Sequence, residues 1–239
     1  MKQFDDAKTL VEHSRNQLSK LRILYDSSLE GKSIDPGLLI EVKNLCENLR
    51  SSLDILAVGI NLKYCDDVSG KKIYFPYAAT ESNVSDFKKS LEKVFPGISI
   101  RRPDLHNYLI QIQHFESHGF KWLPVFMELN NESKHQRIVP QIRKERKELH
   151  IKGSSGQVQL IMEEGALLEL EPGASADIGG AKLLGGQLVG VNNMPAIEGG
   201  SAEIVKWVSF YFESNNQAVL PFLSNAVAGI HQIVDRLSS

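Results

Sequence analysis

The sequence predicts an α+β protein in which an α-helical bundle is interrupted by an inserted, glycine-rich antiparallel β subdomain. Apolar residues recur at helical spacing through residues 1–139 and again through residues 213–239. We therefore expect these segments to form the bundle and a C-terminal helix that returns to it. Residues 140–212 lack that period. Eleven of the 18 glycines fall within residues 153–200, between short β-forming runs, which is typical of strands joined by tight turns.

The composition is that of a globular protein with no strong electrostatic preference for a partner. Of 239 residues, 42% are hydrophobic and 23% are charged, and the formal net charge is −2. A chain of this length can bury a core without disulfides, and Cys46 and Cys65 alone match no disulfide framework or zinc-ligand pattern. The sequence shows no signal peptide and no apolar run long enough to span a membrane. We therefore expect a cytoplasmic protein with no membrane partner.

Two long helices joined by a short polar loop are predicted at the start of the chain. The first covers about residues 4–29, where apolar residues repeat every seven positions. The repeating residues are Phe4, Val11, Leu18 and Tyr25. The second helix has a start signal, with Asp35 as N-cap and Pro36 at the first helical position, followed by a continuous apolar stripe. Such a pair favours an antiparallel α-hairpin.

Three shorter helices are expected in the middle of the chain and a long one at its end. One is predicted to be capped by Ser85, the next begins at Pro103, and the third begins near Pro124. The last helix, over about residues 217–237, alternates apolar steps of three and four. A helix this apolar on one side needs a packing partner, and we expect the N-terminal hairpin to supply it.

The β segment is expected to form a small antiparallel sheet, sandwich or barrel. Its paired glycines suit tight turns with positive φ. The predicted strands cover residues 157–162, 166–170, 182–184, 187–191 and 203–212.

The most motif-like run in the chain is Leu129-Asn-Asn-Glu-Ser-Lys-His. Within it, Asn131, Lys134 and His135 stand at i, i+3 and i+4 and can share one face at a helix end. Arg50 and Asp54 are likewise four residues apart on the second helix. If these helices pack together, the five polar groups meet at one site. A neutral histidine beside a lysine and a carboxylate is a candidate acid or base for phosphodiester cleavage.

A structural role is the alternative for the same residues. The five groups could form a polar network that locks two helices together, with Asp54 paired to Lys134, or the run could be a helix C-cap. No cofactor or metal is predicted. The glycines of residues 165–200 lack a phosphate-loop pattern, and His114 and His118 lack the glutamate of a metalloprotease motif. There is also no Gly-x-Ser-x-Gly elbow of a serine hydrolase.

Charge is unevenly distributed along the chain. Residues 1–152 hold 24 Lys and Arg against 20 Asp and Glu, giving +4, whereas residues 153–239 hold 3 against 9, giving −6. The basic excess lies between Lys134 and Lys152, where seven basic residues stand with two glutamates. This stretch is either an electrostatic footprint for RNA or one half of an internal charge balance.

Three motifs together resemble a known group of proteins. They are Asn48-Leu-Arg-Ser-Ser-Leu-Asp-Ile-Leu-Ala, Tyr74-Phe-Pro and Leu129-Asn-Asn-Glu-Ser-Lys-His. This layout resembles a family of uncharacterised bacterial helical proteins with an L-R-x-x-L-D-x-L-A pattern, a Phe-Pro and L-x-N-x-x-K-H, which is loosely similar to the HEPN class. The resemblance implies a helical bundle. Many HEPN proteins are ribonucleases or partners in toxin–antitoxin and phage-defence systems, so the resemblance also implies a role of that kind. The active pattern of these proteins is an arginine followed by a histidine. Here Asn130 stands where that pattern has the arginine.

The sequence leads to one functional expectation and two alternatives. We expect a non-enzymatic interaction or regulatory protein with a HEPN-like bundle, which associates as a homodimer or with a protein partner. The first alternative is a metal-independent ribonuclease using His135, with Lys134 and Asn131 as phosphate-binding and orienting groups. The second alternative is binding of a small ligand in a pocket of the β segment.

Overall fold

The computed structural model of the chain describes residues 1–28, 36–65, 72–135 and 140–239. Within these ranges, the structure does not describe the side chains of residues 27–28, 133–135 and 206–208. The chain is a mixed α+β protein with antiparallel strands, as the sequence predicts. It divides into a helical unit, Met1–Ile142 with Tyr211–Ser239, and a β unit, Arg143–Phe210. The sequence-based boundaries at 139/140 and 212/213 lie close to these limits.

The six predicted helices are present in the predicted order and with approximately the predicted lengths, and the sequence misses the four-residue helix Ile98–Arg101. The described helices are α1 (Lys2–Ser28), α2 (Pro36–Tyr64), α3 (Val84–Val94), α4 (Ile98–Arg101), α5 (Pro103–Gln111), α6 (Trp122–His135) and α7 (Val219–Leu237). The predicted N-cap of α2, Asp35, lies outside the described residues. None of the helices in the described ranges has the length and apolar character needed to cross a membrane.

The first two helices pack antiparallel along their length. Near one end the Phe4 ring covers Gly59, where a Cβ would come within 2.5 Å of a ring carbon. Farther along α1, the Asn48 side-chain amide donates to Gln17 at 2.9 Å. The heptad residues predicted for α1 are all buried, which confirms the apolar stripe.

The last helix packs against α1, α2 and α6. Arg22 of α1 donates to the Ser224 hydroxyl of α7 at 3.0 Å. On the α6 side, Gly229 leaves room for the Trp122 ring, since a Cβ there would lie 2.2 Å from a ring carbon. The C-terminal helix therefore completes the core of the helical unit, although the β segment separates it from α6 in the chain.

One helix cap differs from the prediction. The N-cap of α3 is Asn83, whose side-chain oxygen accepts the amide of Asp86 at 3.0 Å, whereas Ser85 lies inside the first turn. Asn83 has the extended backbone that an N-cap requires, and its side chain reaches the third helical residue.

Eight strands make up the β segment. They are β1 (Gln141–Lys152), β2 (Val158–Glu163), β3 (Leu168–Leu170), β4 (Ser175–Ile178), β5 (Ala181–Leu184), β6 (Gln187–Val189), β7 (Ile197–Glu198) and β8 (Ser201–Phe212). They form sheets in the orders β2-β1-β8, β3-β6 and β4-β5-β7. The sequence predicts five of these strands and misses β1, β4 and β7.

The sequence does not predict the long strand β1, because most of its residues are charged. Only its end carries apolar residues at alternating positions, Leu149 and Ile151, which face Met162 and Leu160 across the β1–β2 pair. Both side chains are fully buried in the core of the β unit. Towards the start of the strand, residues 143–148 are all charged, on both faces.

The glycines serve the turns, as predicted. Gly179 and Gly180 join β4 to β5 with φ angles of 59° and 85°, which side-chain-bearing residues rarely adopt. Gly200 has a different role, because a Cβ there would lie 2.4 Å from the carbonyl oxygen of Lys152. Because Gly200 has no side chain, the backbone just before β8 can lie close to the end of β1.

Candidate functional site

The predicted pair Arg50 and Asp54 forms a partly buried salt bridge on α2. Four residues of helix place the two side chains on one face, and Arg50 Nε lies 3.1 Å from Asp54 Oδ2. The side chains are 10% and 20% exposed, so water screens the pair only weakly. The guanidinium also donates to the sulfur of Met127 on α6 and lies over the Tyr77 ring, 5.7 Å from its centroid.

The second carboxylate oxygen of Asp54 holds a backbone segment. Asp54 Oδ1 accepts the amide of Phe75 at 2.9 Å. Residues 72–79 belong to no helix or strand, so their buried backbone groups need side-chain partners. Asp54 supplies one acceptor and the buried Gln113 supplies another, taking the amide of Ala78 at 2.9 Å. Both ends of the Phe-Pro motif are therefore held by side chains of neighbouring elements.

The two asparagines of α6 have different roles. Asn130 is buried and donates to the carbonyl oxygen of Cys46 on α2 at 2.7 Å. Asn131 is exposed, and its amide lies 3.5 Å from the Tyr77 hydroxyl. Cys46 is a buried core residue, and burial raises the pKa of its thiol to about 12. The thiol therefore stays protonated at neutral pH.

These contacts bring three of the five predicted site residues together. Arg50, Asp54 and Asn131 meet around Tyr77, and we refer to these four residues as the polar cluster. The backbone of Lys134 and His135 belongs to the last turn of α6, but their side chains lie outside the described part of the structure. The expected pairing of Asp54 with Lys134 therefore stays a prediction. Asp54 has Arg50 and the Phe75 amide as partners.

The sequence did not predict that Tyr77 and Gln113 belong to this region. Tyr77 sits in the Tyr74-Phe-Pro-Tyr run, which the sequence marks only as an irregular aromatic segment. Gln113 follows the end of α5 and carries no motif, yet its side chain is 1% exposed and donates to Leu109 O at 2.7 Å. The sequence around it, Gln111-Ile-Gln-His, is polar and gives no signal that Gln113 is buried.

The histidine pair does not have the geometry of a metal site. Helix α5 ends at Gln111, and residues 112–120 form turns, so His114 and His118 do not share a helix face. His114 Nε2 lies 3.1 Å from the carbonyl oxygen of Thr80. Within the described residues, no group of three or more potential metal ligands is found.

The basic residues of the 134–152 stretch that lie on β1 are largely matched by acidic ones. Arg146 pairs with Glu163 at 3.2 Å, and Lys152 pairs with Glu203 at 2.8 Å. Arg143 pairs with Glu145 on the same strand. These glutamates come from β1, β2 and β8, so the positive charge that is concentrated in sequence is offset across the sheet.

The interior of the β unit is occupied by its own side chains. Seven buried apolar residues form its core, and further apolar residues pack against them. The seven are Leu149, Ile151, Met162, Ala181, Leu183, Val189 and Val191.

Comparison with known proteins adds no relative to this picture. The chain matches no protein-family model, no curated protein and no solved structure.

Replacing Asp54 by alanine is expected to lower the free energy of unfolding by about 2–4 kcal/mol. The substitution leaves the buried guanidinium of Arg50 without its carboxylate and the amide of Phe75 without its acceptor. Chemical denaturation with two independent probes measures the change.

Glu47→Ala is the matched control, because Lys43 and Glu47 form an i,i+4 pair on the same helix with both side chains about one-third exposed. We expect it to cost less than about 1 kcal/mol. Equal costs for the two substitutions would contradict a special structural role for Asp54.

Proposed function

We propose that this chain is a non-enzymatic interaction or regulatory protein built on a HEPN-like helical bundle. The proposal rests on one observation, which is that residues of the polar cluster bind other parts of the protein. Arg50 and Asp54, which belong to the first shared motif, bind the Phe-Pro segment of the second, and Asn130 of the third binds α2. The three motifs of the resemblance are therefore adjacent and are explained by packing.

The chemistry of the cluster also favours a structural role. A general base must reach the proton of a bound substrate, and a phosphate-binding arginine must offer free N–H groups. Asp54 uses one oxygen for Arg50 and the other for the Phe75 amide. Arg50 is 8% exposed and is directed at Asp54, Met127 and the Tyr77 ring. Binding of a substrate by Asp54 would therefore break one of these contacts, and the low exposure of Arg50 restricts access to its remaining N–H groups.

The helical hairpin offers a surface for association. Ile23 and Leu24 near the end of α1 are 70% and 43% exposed, and Ile40 near the start of α2 is 46% exposed. Because Gln17 lies beside Asn48 in an antiparallel pair, Leu24 and Ile40 lie at about the same level of the hairpin. Exposed large aliphatic side chains at one end of a hairpin favour a protein partner.

The two alternatives receive less support from the structure. A ribonuclease using the 134–152 stretch as its footprint needs a net positive surface, but the glutamates beside Arg143, Arg146 and Lys152 offset the positive charge of the described strand. A ligand pocket in the β unit needs a cavity among its small strands, and seven buried apolar side chains pack together there.

We expect the chain to self-associate through the hairpin surface formed by Ile23, Leu24 and Ile40. Size-exclusion chromatography with light scattering should give the mass of a dimer that dissociates on dilution. Ile23→Glu and Ile40→Glu place charges on the surface and should each give a monomer. Ile100→Glu is the matched control, since Ile100 is 85% exposed on α4, and it should remain dimeric. A monomer at every concentration would remove the self-association part of the proposal.

We expect no cleavage when the pure chain is incubated with total cellular RNA. The His135→Ala variant should behave identically, because the proposal gives His135 no reacting role. Electrophoresis of the RNA over time provides the measurement. Cleavage that is lost in the His135→Ala variant would instead establish the ribonuclease alternative.

A further inference from the structure

A groove runs between α1 and α7 on the surface of the helical unit. Its volume is about 370 Å³, within the range of small-molecule sites. Leu18 and Val227 are buried and form its floor. The residues that line it are Arg15, Leu18, Ser19, Arg22, Ser224, Val227, Ala228 and His231.

The residues that line the two walls of the groove have the same spacing along their helices. Arg15, Ser19 and Arg22 stand at i, i+4 and i+7 on α1, and Ser224, Ala228 and His231 repeat that spacing on α7. Arg22 contacts Ser224 while the groove extends to Arg15 and His231, so the helices run antiparallel here. Cationic groups therefore lie at both ends, with small side chains between them.

The two arginines of the groove differ in their partners. Arg22 uses Nη2 for the Ser224 hydroxyl, and among the described residues it has no carboxylate partner. Arg15 is paired with Glu12 at 3.4 Å and His231 with Asp235 at 3.4 Å, and in both pairs each side chain is more than 40% exposed. Such pairs are weak and exchange readily for a better anion.

We propose that this groove binds the phosphate group of a small phosphate monoester. Arginine guanidinium groups are donors that recognise phosphate oxygens, and Leu18 and Val227 provide apolar contact for the rest of the molecule. The hydroxyls of Ser19 and Ser224 donate to the carbonyl oxygens of Arg15 and Leu220, so the donors for phosphate are Arg15 and Arg22. Glu12 and Asp235 lie beyond Arg15 and His231 at one end, where they would repel the next phosphate of a polynucleotide. The charge pattern thus favours one phosphate over a chain of them. This proposal is independent of the self-association proposed above.

Calorimetric titration at constant ionic strength tests the proposal, with inorganic phosphate, a nucleoside monophosphate and the parent nucleoside as probes. We expect both anions to bind and the uncharged nucleoside not to. Arg22→Gln should weaken binding by about tenfold or more, since it removes a charge-assisted contact. Ala228→Leu should abolish binding by filling the exposed middle of the groove without changing its charge.

Lys20→Gln is the matched control, because Lys20 is an exposed cation of α1 that does not line the groove, and binding should be unchanged. The thermal midpoint of the wild-type chain should also rise with phosphate, which tests binding without any variant. Three results would each overturn the proposal. They are no binding by the wild-type chain, an equal loss in Lys20→Gln and Arg22→Gln, or tighter binding of single-stranded RNA than of the monophosphate.

Discussion

The hydrogen bond from the Phe75 amide to Asp54 is the contact on which the organisation of the helical unit depends. Residues 72–79 follow α2 without forming a helix or strand, yet Phe75 and Ala78 are buried. A buried backbone donor without an acceptor costs about 1–3 kcal/mol. Asp54 removes that cost, and Arg50 compensates the charge that Asp54 brings into the interior. The segment can then run beside α2 and α6 and present Tyr77 to both.

This arrangement changes the interpretation of the three sequence motifs. An arginine and an aspartate four residues apart, an asparagine pair and a terminal histidine look like a reacting constellation when they are read along the chain. In space, both carboxylate oxygens of Asp54 accept hydrogen bonds from protein atoms, one of them from Nε of Arg50, and Asn130 holds α2 to α6 through the Cys46 carbonyl. Arg50, Asp54 and Asn130 therefore hold neighbouring elements of the helical unit together, and the ligand site that we propose lies instead in the α1–α7 groove.

The helices could be predicted because their signal is local. The heptad at Phe4, Val11, Leu18 and Tyr25 and the three-four pattern of the last helix each indicate one buried face. The strand β1 could not be predicted in this way, because its charged residues are balanced by partners on β2 and β8 that are distant in sequence. The same limit applies to the site. Helical spacing predicts that Arg50 and Asp54 meet, but no local pattern specifies that Asp54 accepts the amide of Phe75, 21 residues later.

The most direct test is amide hydrogen exchange at Phe75, followed by NMR under native conditions. If Asp54 and Arg50 hold this segment as part of the core, the Phe75 amide should exchange only through global unfolding. Its protection should then correspond to the full free energy of unfolding of the helical unit. Exchange of the Phe75 amide at the rate of an unstructured peptide, while the amides of α2 remain protected, would contradict the account.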